Sequence, residues 1–301
     1  MACLGAINYD PASAASKSCA TRIAMTALDT TNLRITFTAP TNGCVLVRLR
    51  GLVTGASSLP RIMLGVLDGS TVRLRMAPTG SLVGTNNTTT LLQQEVVGVI
   101  SGLTPGNSYT WDAAYSVDVL TASTNIRYGG PNDASGNDAF GGFIFEVWSA
   151  NNLLASKLYD PASLTTVATT SLAAMTAFDT TNLRSTITVP SSGKILWRVR
   201  TLQHGVATHG EYLLGIMEGS SVIARAAPIW ADPTNGTSTS RMVMDATGII
   251  TGLNPGDSHT YDAAYAIQTV ASAGGTFAYG GPDDTTSDNA VGAIAFELWT
   301  A

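Results

Sequence analysis

Charge is scarce in this chain. Asp, Glu, Lys and Arg make up 12% of its 301 residues, about half the share usual in soluble domains. The surface must then be built largely from Thr, Ser, Asn, Gly and Ala, a composition suited to packing against other protein. Lysine is the scarcest cation: Lys17, Lys157 and Lys194 stand beside 13 arginines. Interfaces favour Arg over Lys because the planar guanidinium pairs and stacks at lower desolvation cost, and an Arg-biased lineage gives the same count. A net charge of −5 and a pI near 5.1 leave no basic footprint for phosphates, so nucleic acid is excluded as a partner. No run approaches the ~18 to 20 apolar residues of a membrane helix. Met1 to Asp10 lacks a basic segment followed by an apolar one, so no secretory signal is expected. Cysteine is confined to Cys3, Cys19 and Cys44. An odd number, all in the first half, implies a fold that needs no disulfide and a chain made in a reducing cytoplasm, with a Cys3–Cys19 link as the alternative.

What the chain does have is itself, twice. Tyr9-Asp10-Pro11-Ala12-Ser13 returns as Tyr159-Asp160-Pro161-Ala162-Ser163, and the ten residues from Met25 to Arg34 return as Met175 to Arg184 with Phe178 in place of Leu28. The spacing of 150 carries Leu64-Gly65 onto Leu214-Gly215 and Asp112-Ala113-Ala114-Tyr115 onto Asp262-Ala263-Ala264-Tyr265. After one inserted residue, Tyr128-Gly129-Gly130-Pro131 returns as Tyr279-Gly280-Gly281-Pro282 and Phe145-Glu146-Val147-Trp148 as Phe296-Glu297-Leu298-Trp299. Solenoid and propeller repeats have periods of roughly 20 to 50 residues, so this period means duplicated domains, residues 1–150 and 151–301.

The duplication filters function, since a chemistry that both halves share needs residues present in both. The histidines fail this test: His204, His209 and His259 face Thr54, Leu59 and Tyr109. The cysteines face Leu153, Thr169 and Lys194. What the copies share is the vocabulary of a fold.

Leu33, Ile35, Phe37 and Ala39 alternate with Arg34, Thr36 and Thr38, a period of two that marks a half-buried strand. Pro40-Thr41-Asn42-Gly43 supplies a turn. Residues 44–50 alternate again, with Arg48 and Arg50 on one face and Val45, Val47 and Leu49 on the other. Further runs at 62–67, 71–76, 95–100, 108–117, 125–128 and 142–148 bring the expectation to eight strands per copy, with Thr79 to Thr90 as a polar connection. Segments with a 3.6 period and caps are missing. The reading is all-β: two tandem β-sandwiches, of jelly-roll type on the strand count, with an immunoglobulin-like sandwich kept open by the Gly-Leu-Thr-Pro-Gly turn before Ser108.

Phe37 to Gly43 leading into an alternating strand, with Gly142 to Trp148 closing the domain, resembles the jelly roll of tumour-necrosis-factor-like and complement-globular-head proteins. The fuller pattern of Tyr-Asp-Pro, Asp-Thr-Thr-Asn-Leu-Arg, Tyr-Gly-Gly-Pro and Phe-Glu-Val-Trp is similar to virion structural proteins of tailed bacteriophages, over essentially the whole chain. The resemblance implies a protein of the virion, assembled in the host cytoplasm, as capsid decoration, head fibre or tail accessory. Its partners would be the major capsid protein or other virion proteins. It also implies a homo-oligomer, most simply a trimer, although two copies in one chain depart from a three-domain trimer.

Candidate chemistry is thin. Asp112 and Asp262 lie inside a strand, where a carboxylate is expected to be held by neighbours rather than to act as a base. Glu146 and Glu297 alternate with core residues, so each sits on the outward face of the last strand, within reach of Arg48 and Arg50 or of Arg198 and Arg200. These six residues are the candidate contact surfaces. Pro131 to Asp138, matched by Pro282 to Asn289, offers hard oxygen ligands for a cation but lacks a calcium-loop spacing. His204, His209 and Glu211 have no helical spacing and no counterpart. No catalytic, cofactor or metal residue is assigned, and the chain is read as not an enzyme. The alternative function is recognition of a host receptor or glycan, with Tyr128, Tyr279 and Trp230 as exposed aromatics.

Overall fold

The computed structural model describes all residues except 56–60, 87–88, 120–123, 133–137, 207–209, 232–239, 272–274 and 287–289. The first copy forms β1 (Cys3–Tyr9), β2 (Ala15–Ser18), β3 (Ile23–Ala27), β4 (Arg34–Thr38), β5 (Val45–Gly55) and β6 (Arg61–Asp68). It continues with β7 (Thr71–Met76), β8 (Thr79–Asn86), β9 (Thr89–Ile100), β10 (Ser108–Val119), β11 (Asn125–Tyr128) and β12 (Phe143–Ser149). The second copy repeats the series as β13 (Leu153–Tyr159), β14 (Thr165–Ala168), β15 (Ala173–Ala177), β16 (Arg184–Thr188), β17 (Ile195–Val206) and β18 (Tyr212–Glu218). It ends with β19 (Ser221–Ala226), β20 (Ile229–Ala231), β21 (Ser240–Ile250), β22 (Ser258–Ile267), β23 (Thr276–Tyr279) and β24 (Ile294–Thr300).

The protein is all-β. In the first copy a seven-stranded sheet runs β1-β12-β5-β11-β2, with β9 on the free side of β5 and β8 on β9, and a five-stranded sheet runs β3-β10-β6-β7 with β4 also on β10. Every pairing is antiparallel. First strand beside last, with β5 and β9 beyond, opposite β4-β10-β6-β7, is jelly-roll order. The second copy repeats both sheets, so the immunoglobulin-like alternative falls. Alternation built each core: Leu33, Leu49, Trp111, Phe143 and Phe145 in the first copy, and Leu183, Val199, Tyr261, Phe277 and Phe296 in the second, are 0% exposed.

Four strands per copy go beyond the eight expected from sequence. β2 reads Ala-Ser-Lys-Ser and β1 mixes Gly, Ala and Asn. Such strands bury little, so their pattern is weak. β8 falls in the stretch expected to be a polar connection and instead forms a hairpin with β9. The duplicated Leu-Gly has a steric cause: a Cβ at Gly65 or Gly215 would sit 1.9 or 2.2 Å from the carbonyl oxygen of Leu74 or Ala224, where β6/β7 and β18/β19 shift register at a bulge. The duplicated Asp-Thr-Thr-Asn is a capped turn, in which Asp29 Oδ1 accepts the N–H groups of Thr31 and Asn32 at 2.8 and 2.9 Å, as Asp179 does for Thr181 and Asn182.

The chain divides into two compact units. Among the described residues, unit 1 takes Met1–Asn151 with Pro282–Gly292, and unit 2 takes Asn152–Ala231, residues 240–281 and Ala293–Ala301. The sequence boundary at 150 does not foresee that Pro282–Gly292 belongs with unit 1.

Candidate functional site

In β5 the side chains of Val45, Val47 and Leu49 enter the core, which turns Leu46, Arg48 and Arg50 outward. Register sets Arg48 opposite Glu146 on β12 and puts Glu95 of β9 two pairs along, opposite Arg50. Arg48 bridges both acids: Nε donates to Glu95 Oε1 at 2.8 Å, and Nη1 lies 3.7 Å from Glu146 Oε2. Trp148 Nε1 donates to the same Glu146 oxygen at 3.2 Å. Unit 2 rebuilds the arrangement. Arg198 Nε donates to Asp245 Oδ1 at 2.9 Å, Nη1 lies 3.6 Å from Glu297 Oε2, and Trp299 Nε1 donates to that oxygen at 3.2 Å. Beside this row runs an apolar one, Trp148, Leu46 and Val99 in unit 1 and Trp299, Leu196 and Ile249 in unit 2.

The six candidate residues therefore share one outward sheet face in each unit, with Arg48 meeting Glu146 and Arg198 meeting Glu297. Sequence reasoning missed Glu95 and Asp245. The signal was there, an acid at the same place in both copies, but Glu and Asp differ as letters and the link to Arg needs the strand register.

The two rows differ in burial. Side-chain exposure is 34% for Arg48, 32% for Glu95 and 20% for Glu146, against 16% for Arg198, 20% for Asp245 and 3% for Glu297. Arg200 is 3% exposed, whereas Arg50 is half-buried. Glu297 and Arg200 are thus not surface groups. Burial pushes the Glu297 carboxyl above its usual range despite the nearby Arg198 cation and the Trp299 N–H. Arg198 is raised as well: burial acts to lower it, but the Asp245 hydrogen bond and the two acids outweigh that.

A raised carboxyl binds its proton more tightly in the folded state. The contribution of Glu297 to stability is therefore fully present below the unfolded value, 4.5, and is lost as pH rises through the folded value. Calorimetry across a pH series should show this loss in the unit 2 transition. Glu297→Gln should flatten it, while Glu146→Gln should leave it in place; a profile that Glu297→Gln does not alter would contradict the assignment.

Other sequence candidates resolve into structure. Asp112 and Asp262, both buried, accept bidentate hydrogen bonds from Arg34 and Arg184 at 2.7 to 2.9 Å. Tyr128 and Tyr279 are 2% exposed and their hydroxyls are pushed up to about 12 by burial, so they are core groups and not the exposed aromatics expected of a recognition surface. The Trp230 side chain and His209 lie outside the described residues, as do 133–137 and 287–289 of the Asx-rich loops. Among the described residues no group of three or more His, Cys, Asp or Glu side chains could hold a metal. His259 meets Glu218 at 3.0 Å and stacks on Tyr261, a contact the first copy lacks. All three cysteines are free, and burial pushes Cys19 up to about 12. A cleft of about 470 Å³ opens in unit 2 among Tyr212, Leu213, Pro228, Met242, Met244 and Gln268.

No protein-family model and no curated protein matches the chain. Among solved structures, it is similar to a peptide-N(4)-(N-acetyl-β-D-glucosaminyl)asparagine amidase at 9% identity and a TM-score of 0.32, covering 95% of this chain and 96% of that one. It is also similar to a tandem pair of CBM22 domains from Paenibacillus barcinonensis, at 11% identity, a TM-score of 0.18, and 99% and 98% coverage. A third is infectious bursal disease virus, Gx strain, at 13% identity, a TM-score of 0.14, and 99% and 78% coverage. The expectation that the chain is not an enzyme is corrected by the first of these, which is an enzyme; absence of activity is not a property to be read from this sequence. At these scores no activity or ligand carries over in either direction.

Proposed function

We propose that this chain is a structural protein of a tailed-bacteriophage virion that decorates the capsid exterior through protein–protein contacts. The carrying observation is the row of Trp, Glu, Arg and a second acid beside an apolar row, built on the same sheet face in both units, partly exposed in unit 1 and largely buried in unit 2, on a chain with 12% charged residues. Trp and Arg are the residues over-represented where interface energy concentrates. The resemblance of the repeated motifs to virion proteins supports a place in a virion. A protein that binds only the assembled lattice stabilises that lattice by its binding free energy.

The purified chain at micromolar concentration should co-sediment with emptied capsids, and Trp148→Ala should lower the bound fraction about tenfold or more if that row is the contact. Failure of the wild type to co-sediment removes the decoration reading. A second reading, a tail-borne module for a host receptor or glycan, is favoured by the open apolar cleft beside Tyr212 and Met244, although the burial of Tyr128 and Tyr279 takes away its expected aromatics. Binding to host cells that capsids do not compete away would favour it.

A further inference from the structure

Unit 1 includes Pro282–Gly292, and Asp283, Ala290 and Gly292 of this segment lie on the outer face of its five-stranded sheet. Asp283 Oδ1 accepts the Met25 N–H at 2.8 Å and lies 3.6 Å from Arg75 Nη1. The Ala290 N–H donates to Asp118 Oδ1 at 3.2 Å, and Gly292 bridges Met76 antiparallel. Ala290 packs with Met25, Met63, Leu67 and Ala114. The covered groups are deeply buried, Arg75 to 4% and Asp118 to 3% exposure.

Unit 2 presents the same face. Met175, Leu213, Met217 and Ala264 stand where unit 1 has Met25, Met63, Leu67 and Ala114, again as a cluster apart from the main core. Arg225 stands for Arg75 and Gln268 for Asp118. Both are exposed here, and Leu213 is only half-buried where Met63 is 1% exposed.

The segment equivalent to 282–292 is residues 131–141 of the first copy, with Asn132 for Asp283, Ala139 for Ala290 and Gly141 for Gly292. Asn132, Ala139 and Gly141 are all exposed. A Cβ on Gly292 would lie 2.8 Å from the Arg75 carbonyl, whereas one on Gly141 would meet nothing within 4 Å. Met175, Met217 and Ala264 are as buried as Met25, Leu67 and Ala114, so what one chain leaves accessible is the rim of this face, Leu213, Arg225 and Gln268, together with the segment type that covers such a face.

We propose that the outer face of β15, β22 and β18 in one chain docks residues 131–132 and 138–141 of a second copy of the same chain. The Asn132 amide oxygen takes the place of the Asp283 carboxylate toward the Met175 N–H and Arg225. The Ala139 N–H donates to the Gln268 side-chain oxygen, as Ala290 does to Asp118. Donor and acceptor are different surfaces, so the contact is head-to-tail and either closes into a ring or propagates. Because Asn lacks the charge of Asp283, the contact between chains is the weaker version of the one inside unit 1. The proposal is independent of any role in a virion.

Sedimentation velocity of the full chain over a concentration series up to ~100 μM, a range that captures weak contacts, tests it. Wild type should associate reversibly. Ala139→Arg and Arg225→Glu should each abolish or strongly weaken association while leaving cooperative thermal unfolding intact, since both positions are exposed. Asn132→Asp should tighten it by about three- to fivefold, an effect that salt removes. A wild type and an Asn132→Asp variant that both stay monomeric overturn the proposal. So does association that Ala139→Arg and Arg225→Glu leave unchanged, which would place the contact between copies elsewhere.

Discussion

Replacing Arg198 with Met should destabilise unit 2 by about 3 to 5 kcal/mol at neutral pH, the usual cost of removing one partner from a buried ion pair. The same change at Arg48 should cost unit 1 only about 0 to 1 kcal/mol, as for exposed pairs. Methionine keeps most of the volume, so the difference isolates charge. In unit 2 the guanidinium is 16% exposed and stands between Asp245 at 20% and Glu297 at 3%. Without it the two carboxylates face each other in a poorly solvated site, and Asp245 already acts to raise Glu297. Water screens the corresponding acids in unit 1, where Arg48 and Glu95 are each about one-third exposed. Denaturant unfolding of both variants measures the two costs. Equal losses would mean that the difference in burial between the two rows does not set their energetics.

That contrast also marks how far the sequence could be read. Alternation alone put Arg48, Arg50, Arg198 and Arg200 on the face away from Val45, Val47 and Leu49 and their counterparts, because a residue's side of a sheet follows from the period of two. The same logic placed Glu146 and Glu297 outward. Which acid each arginine meets depends on register between strands about 47 residues apart, and nothing local encodes that. Burial of an outward face is less legible still. Glu146 and Glu297 sit in nearly the same motif, yet one is half-buried and the other 2% exposed. The edge strands β1, β2 and β8 leave little trace in the pattern for a related reason: with one neighbour and little core to meet, they need no strong apolar alternation. The segment 282–292 looks like any Asx-rich loop, and its place in unit 1 is written in the residues that receive it, Met25, Arg75 and Asp118.

The two cores show the opposite, a tertiary adjustment that alignment of the copies makes visible. In unit 1, β5 carries Val47 opposite Gly98, and a Cβ on Gly98 would meet Leu74 Cδ1 at 3.0 Å and Met76 Sδ at 3.1 Å. Unit 2 has Trp197 opposite Gly248, Ala224 and Ala226 in place of Leu74 and Met76, and a Cβ on Gly248 would strike the Trp197 ring at 2.7 to 2.8 Å. The indole thus occupies the room that two longer aliphatic chains fill in the other copy, and it is 1% exposed with a buried Nε1–H that has no partner among the described residues.

Trp197→Val should therefore cost about 3 to 5 kcal/mol, because Ala224 and Ala226 are too small to close the cavity. Adding Ala224→Leu and Ala226→Met should recover at least about half of that loss, since volume and apolar character are then restored and the unpaired indole N–H is gone. Gly248→Ala reads out the same geometry independently. It should cost about 1 to 3 kcal/mol with Trp197 present. Combined with Trp197→Val alone it should become neutral or stabilising, because the ring no longer obstructs the new methyl and glycine in a strand is itself a small liability. Unfolding free energies for these variants form a mutant cycle whose coupling between positions 197 and 248 should exceed about 1 kcal/mol. Additive costs at the two positions would show that the ring does not fill the space that Leu74 and Met76 fill in unit 1.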